Sequence, residues 1–312
     1  MQPAFHAGEV ALQQRAGSAD HLAQIGPRVI RDHMPQQHQD FFAQLPLLVL
    51  GALDDHGQPW ASVLAGPPGF AHAPHERMLR VDALPPPHDP LHGMLRDGVP
   101  IGLLGIESHT RRRNRMNGTV LGADARGFGV TVAQSFGNCP KYIQARRPQY
   151  DPVGAAPSAW QDHDGLDVAD QTLVAQADTF FIASAHPQAG QGVGAHGMDV
   201  SHRGGKPGFV RVQGDVLTVP DFAGNAFFNT LGNLALNPRC GLLFMDVAAG
   251  TALFIAAHAE IVTDAAQVLA FEGAQRLLRL RVLRVRRVEA ALPLRWGTAE
   301  LSPHLQGTGS WR

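Results

Sequence analysis

The sequence predicts a mainly β protein with minor α, arranged as two tandem small barrels of antiparallel strands with short helices. Three observations carry that expectation. Thirty-four glycines and 23 prolines cut the 312 residues into short segments, which suits many tight turns and few long helices. Brief apolar runs with β character stand between those turn signals. The chain also repeats itself. Positions 61–70 read Ala-Ser-Val-Leu-Ala-Gly-Pro-Pro-Gly-Phe, and positions 200–209 read Val-Ser-His-Arg-Gly-Gly-Lys-Pro-Gly-Phe. Shifted by 139, the two share Ser62/Ser201, Gly66/Gly205, Pro68/Pro207, Gly69/Gly208 and Phe70/Phe209. Leu79 and Val81 match Leu217 and Val219 at a shift of 138, and Gly102-Leu103-Leu104 match Gly241-Leu242-Leu243 at 139 again. Matches in one order at a near-constant spacing imply a duplicated unit whose period is too long for a solenoid. Barrel closure is how such short-stranded units avoid exposed edges.

Taken in order, 1–44 is a helical segment. Apolar residues over 9–25 follow a helical spacing interrupted by Gly17, so one helix or two short ones are expected there. A further helix over 35–44 has Pro35 in its first turn and Phe41-Phe42 as its apolar end. The first barrel copy spans 45–150. Its strands are expected over 45–53, 60–65, 78–83, 101–106, 115–121 and 127–133, with Asp54-Asp55-His56-Gly57 as a hairpin turn. A Pro-rich loop at 84–89 and a short crossing helix over 89–97 separate the third strand from the fourth. A polar, Pro- and Gly-containing linker covers 151–175. The second copy, 176–312, has strands over 179–185, at the Ser-His-Arg-Gly-Gly stretch, and over 216–219, 240–246, 252–261 and 278–288. In the last, the Leu/Arg alternation slips at Val282-Leu283, the mark of a β-bulge, and its arginine face is expected to be solvated.

A net charge of −1 argues against a nucleic-acid or membrane-surface partner. Two cysteines, Cys139 and Cys240, make no disulfide framework, which points to a reducing compartment. With no apolar run of membrane-spanning length and no leader-like pattern, the expected location is cytoplasmic. Sixteen histidines bring no cysteine or carboxylate at ligand spacing, so no metal is expected. Phosphate-loop, nucleophile-elbow and His-Glu-x-x-His motifs are absent.

The chemistry concentrates in the second copy. On an extended strand Ser201 and Arg203 share a face and can clamp an anion, while His202 points the other way. A surface strand with an exposed arginine is the plainer alternative. The first copy carries Val63 and Leu64 where the second carries His202 and Arg203. Asn229, Thr230 and Asn233 add small polar groups downstream, and Pro90 and Leu91 stand opposite the first two. Asn225 fits a turn or cap better than a ligand contact. Cys139 beside Lys141 is either a structural turn residue or a redox thiol.

Several motifs together carry a family resemblance: Phe41-Phe42-Ala43-Gln44-Leu45-Pro46, 111–118 (Arg-Arg-Arg-Asn-Arg-Met-Asn-Gly), 135–143 (Ser-Phe-Gly-Asn-Cys-Pro-Lys-Tyr-Ile) and 201–209. To these are added 227–234, running into Asn237-Pro238-Arg239, and 291–296 (Ala-Leu-Pro-Leu-Arg-Trp). The chain resembles the pyridoxamine 5′-phosphate oxidase-like flavin-nucleotide-binding proteins over nearly its whole length. The resemblance implies FMN-binding split barrels, a homodimer, and a flavin between barrels. Carried over, it matches the family's phosphate-binding strand to 200–204 and its phosphate-gripping pair to Asn229 and Thr230. The cofactor contacts expected in all are Ser201, His202, Arg203, Gly204, Asp221, Asn229, Thr230, Asn233, Ser135, Asn138, Lys141 and Arg115, with backbone amides beside Gly204 and Asp221 serving the ring. His202 is the one candidate acid or base. Asn229-Thr230 stand where the true oxidases have Arg-Lys, and their ring-facing glutamine is missing around 253–255. The resemblance therefore implies an FMN-dependent oxidoreductase other than pyridoxamine phosphate oxidase. The alternatives are a non-catalytic flavin or haem-type carrier on the same barrel, or a cofactor-free interaction module.

Overall fold

The computed structural model describes residues 3–152, 159–192, 194–246 and 248–312. Three helices lead the chain: α1 (Ala7–Arg15), α2 (Ala19–Val29) and α3 (Gln36–Ala43). The helical stretch around 9–25 is two helices because Gly17 takes a left-handed φ of 68° between them.

The first sheet holds β1 (Leu47–Leu53), β2 (Pro59–Ala65), β3 (Ala71–His75), β4 (Met78–Val81), β5 (Pro100–Glu107), β6 (Arg112–Asp124) and β7 (Gly127–Gly137). Its spatial order is β2-β1-β5-β6-β7-β4-β3. Next come β8 (Gln149–Tyr150), β9 (Trp160–His163) and α4 (Val168–Gln176). The second sheet holds β10 (Thr179–Ala185), β11 (Met198–Gly204), β12 (Arg211–Gln213), β13 (Val216–Asp221), β14 (Arg239–Asp246), β15 (Thr251–Val262) and β16 (Arg276–Val288). Helix α5 (Asn229–Leu236) precedes β14, α6 (Ala265–Val268) precedes β16, and β17 (Leu294–Arg295) pairs with β8.

The second sheet is ordered β11-β10-β14-β15-β16-β13-β12, which is the first order repeated strand for strand. Adding 139 to the bounds of β2 gives those of β11, and adding 139 to those of β5 gives those of β14. The duplication read in the sequence is thus one of topology. Its shared Gly-x-Pro-Gly-Phe turn is scaffold. A side chain at Gly66 or Gly205 would strike the ring of Phe70 or Phe209, and Gly69 and Gly208 take φ values of 100° and 87°.

The barrels pack reciprocally. A Cβ on Gly102 would lie 2.7 Å from the Met198 carbonyl oxygen. A Cβ on Gly241, its equivalent, would lie 2.5 Å from Trp60 Cα. Each β5-type strand therefore presses its glycine against the β2-type strand of the other barrel, as an internal two-fold requires. One apolar core, including Leu48 and Leu50 with Ala183, Val200 and Phe254, runs through this contact. A second fills the later barrel, where Phe180 stacks on Phe244 at 4.9 Å. Gly241→Val should cost about 3 kcal/mol, because the facing groups are backbone and cannot move aside. Urea unfolding tests this, with Gly297→Ala, which meets nothing within 4 Å, as the silent control. An unchanged midpoint for Gly241→Val would refute the close approach.

The bulge expected in the last strand is present. Ala256 pairs with Arg284 and Ala257 with Val282, which leaves Leu283 as the extra residue. Of the arginine face, Arg281 and Arg284 are exposed, while Arg279, Arg286 and Arg287 are half-buried and paired to acids, as in Arg279–Glu260 and Arg286–Asp162. The crossing helix expected over 89–97 is corrected to a series of turns. Gly93 and Gly98 adopt φ of 73° and 89°, and Asp89 caps the backbone of Leu91. Of the stretch expected as linker, 153–158 lies outside the described residues. The rest includes β9, which adds to the edge of β16, and α4, closed by an Asp167/Asp170 capping box. Among the described residues, no helix is long and apolar enough to cross a membrane.

Candidate functional site: a cationic cleft between the barrels

Strand β11 forms one wall of a cleft of about 280 Å³, and the first barrel supplies the opposite wall. Ser201 to Gly204 line it together with Asp221 at the end of β13, the 222–226 loop and the start of α5. From the first barrel come Arg113 and Arg115 of β6, with Asn138, Cys139, Lys141 and Tyr142 from the segment after β7. Both of these walls belong to one chain.

Among the described residues, the lining carries five cationic side chains, Arg113, Arg115, Lys141, Arg203 and Arg276, against one carboxylate, Asp221. Asp221 bridges Arg203 Nη1 and, at 2.9 Å, Arg276 Nη1. This pairing fixes both guanidinium groups beside the cleft. Arg276 also lies over the Phe228 ring at 4.9 Å. Arg115 is anchored behind the wall by Asp199 Oδ1 at 2.9 Å and donates from Nη2 to Ser201 Oγ. Thr230 Oγ1 donates to the same hydroxyl at 2.7 Å. Arg113 donates from Nε to the Cys139 carbonyl at 2.8 Å, and its Nη1 lies 3.3 Å from His202 Nδ1.

Burial sets the electrostatics. It draws Arg113 down to about 10, so this guanidinium remains charged at neutral pH. Burial, followed by Arg113 and Arg203, holds His202 well below the usual imidazole range. His202 is therefore a neutral ring, edge-on to Phe181 at 5.8 Å, with its one ring proton left on Nε2 because Nδ1 faces the Arg113 guanidinium.

Among the described residues, four buried polar atoms of the lining lack a hydrogen-bond partner: Arg115 Nε, Arg203 Nε, Asn138 Nδ2 and His202 Nε2. Such atoms are costly to leave bare, and a polar ligand is one way to satisfy them. Helix α5 starts at the cleft with no side chain capping it, after Phe228 at a left-handed φ of 63°. Its first amides are a natural seat for an anion. Ala226 (59°) and Tyr142 (64°) are also left-handed, so backbone strain gathers on this rim.

Ten of the twelve residues expected to touch a cofactor line the cleft: Ser201, His202, Arg203, Gly204, Asp221, Asn229, Thr230, Asn138, Lys141 and Arg115. Two are placed elsewhere. Ser135 is fully buried on β7, where its hydroxyl meets His38 Nδ1 at 3.0 Å. Asn233 sits one helical turn inside α5 and donates to Asp199 Oδ2 at 2.8 Å, so it supports the Arg115 anchor instead of the cleft. Asp221 contributes its carboxylate to the arginine pair, a role that the expected backbone contact did not include. Arg113 stood within the 111–118 motif without an assigned contact, and Arg276 was missed. Arg276 faces Asp221 directly across the β13–β16 ladder, and only the register reveals that. Glu9 was missed too. Gly8 of α1 packs on the backbone of Gly232, which brings Glu9 Oε1 within 2.5 Å of Asn229 Nδ2.

A larger cavity of about 730 Å³ lies near β6 and β7, but it collects few charged groups. Chemistry, not size, singles out the smaller cleft. With two sheets of one topology closing it, the fold is decided. The chain is a tandem split barrel.

No family model and no curated protein matches the tandem barrel. Solved structures do. A putative pyridoxamine 5′-phosphate oxidase from Lactobacillus delbrueckii is 19% identical, with 39% of this chain covering 98% of it at a TM-score of 0.29. An FAD-binding protein from Mesorhizobium loti is 15% identical, with coverages of 42% and 99% and a TM-score of 0.29. HutZ from Vibrio cholerae, described as a heme storage protein, is 13% identical, with coverages of 42% and 93% and a TM-score of 0.24.

Proposed function

We propose that the cleft binds the phosphate of flavin mononucleotide and that the tandem barrel is an FMN-dependent oxidoreductase. The observation that carries this reading is the set of five cations facing one carboxylate, with the Nε atoms of Arg115 and Arg203 buried and unpaired. A dianionic phosphate is the ligand that such a set holds best. The uncapped start of α5 adds backbone donors, so Asn229 and Thr230 can serve without the charges of an Arg-Lys pair.

In this reading Arg203 and Arg276, fixed by Asp221, hold the phosphate with the α5 amides. Arg115 and Thr230 orient the Ser201 hydroxyl, since both are bonded to it. Tyr142 and Phe222, with ring centroids 5.0 Å apart, provide an aromatic flank that keeps water from one side. His202 stays neutral, and because its Nδ1 faces the Arg113 guanidinium its Nε2 carries the ring proton and can donate a hydrogen bond. The flavin itself would supply hydride or electron chemistry at its ring. The division into a first barrel, 45–150, and a second, 176–312, then has a functional sense, because each contributes one wall.

Titration with FMN tests the proposal. The native chain should take up one flavin and show its absorbance band at about 450 nm. Arg203→Ala should weaken binding about thirtyfold, equivalent to about 2 kcal/mol for a lost charge-assisted hydrogen bond. A Soret band with haem and no uptake of FMN would replace this reading with a tetrapyrrole carrier. Indifference to both ligands would leave only an interaction module.

A further inference from the structure

The internal two-fold that builds the cleft must also generate a second position like it. That position is occupied by a recess of about 290 Å³, nearly equal in size to the cleft at about 280 Å³. Its walls follow the repeat. Val63 and Leu64 of β2 stand where His202 and Arg203 stand on β11, and Ala252 and Phe254 of β15 stand where Arg113 and Arg115 stand on β6. In both recesses the remaining wall is the segment that follows the last strand of the opposite barrel: 138–142 in one, 291–294 in the other.

The substitutions remove every charge at these four positions but do not fill the space. Protein interiors ordinarily close such voids, and an apolar wall left wet is unfavourable. The one carboxylate among the described lining residues is Asp89, buried at the base, where it accepts from Ser62 Oγ and from the Leu91 amide at 2.8 Å. No arginine or lysine lines the recess among those residues. A phosphate or other anion would thus meet a carboxylate in the wall, while the Arg286 guanidinium behind it is already bonded to the His88 carbonyl and to Asp162.

We infer that this second recess is a binding site for an uncharged, apolar small molecule, retained on the two-fold equivalent of the cationic cleft. The two sites of one duplicated fold have diverged in polarity at matched positions, one toward a phosphorylated ligand and the other toward an apolar one. The recess does not depend on flavin binding in the cleft, and its test contains no flavin.

The neutral dye N-phenyl-1-naphthylamine, which brightens in apolar surroundings, is titrated into the full native chain. Saturable enhancement at one site per chain is expected. Val63→Trp, which fills the recess from a half-buried wall position, should weaken dye binding at least tenfold. Leu84→Glu, on the rim at 37% exposure, should do the same without disturbing the core. Leu269→Trp, exposed and away from the recess, should bind as the native chain does. Circular dichroism confirms that each variant is folded. Absence of saturable binding, or native-strength binding by folded Leu84→Glu and Val63→Trp, would overturn the assignment.

Discussion

Arg115→Met is expected to lower folding stability by about 3–5 kcal/mol, the usual result of breaking one side of a buried ion pair. Arg115 and Asp199 are 4% and 6% exposed, so the orphaned carboxylate has no water to turn to. Asp199 also accepts from Asn117 Nδ2 at 2.8 Å and from Asn233 Nδ2 at 2.8 Å. These contacts soften the loss without supplying charge. Guanidinium chloride unfolding measures the change. Adding Asp199→Leu to Arg115→Met should recover part of it, because the buried charge is gone, although Asn117 and Asn233 then keep only their longer contacts to Gln134 and Ser184. If the single variant unfolds within about 0.5 kcal/mol of the parent, Arg115 is not the buried tie between barrels described above. The same substitution should loosen FMN, since Arg115 joins the first barrel to Ser201 of the second.

The second large effect is one of pH. Glu9 is raised from an ordinary 4.5 to about 8, first by burial and then by Asp199, against the bonds from the His6 amide and Asn229. Its folded pKa exceeds its unfolded value, so between these limits the folded chain keeps a proton that the unfolded chain has released. The contribution of Glu9 is fully present below about pH 4.5 and is lost as pH rises through 8, at up to about 1.4 kcal/mol per unit. His202 acts in the opposite sense. Its imidazole pKa is depressed by burial, so its contribution is present above the ordinary 6.5 and lost as pH falls below it. The two oppose each other on the acid side of 6.5. From there to pH 8 the Glu9 decline should be exposed in urea midpoints. Glu9→Gln should flatten it and make the variant more stable than the parent at pH 8. A parent that is equally stable at pH 6.5 and 8 would rule out a protonated Glu9. Because Glu9 holds Asn229, FMN affinity should follow the same titration.

The repeat made much of the fold legible in the sequence. Gly102 and Gly241, Ser62 and Ser201, and Phe70 and Phe209 are spaced alike because each pair occupies one position in a duplicated scaffold, and packing keeps those residue types in place. Local signals also served well where the cause was local, as with Gly17 ending a helix and the slip at Val282-Leu283. They failed over 89–97, where helical spacing of Leu91, Met94 and Leu95 concealed the left-handed Gly93. They failed again at Ser135, whose motif lies close to the cleft along the chain while its side chain turns into the core toward His38.

What the sequence by itself determined is the β architecture, its duplication, and the asymmetry of His202-Arg203 against Val63-Leu64. Those follow from residue type and spacing along one strand. Only the tertiary structure decided that Arg113 and Arg276 join Arg115, Lys141 and Arg203 around one cleft, and that Glu9 reaches Asn229. Such neighbours are set by strand register and by the reciprocal seating of Gly102 and Gly241 on the opposite barrel. Close approach of backbones carries no signature in the spacing of charged residues. The polarity of each site was therefore written in the strand, and the second wall of each was supplied by the fold.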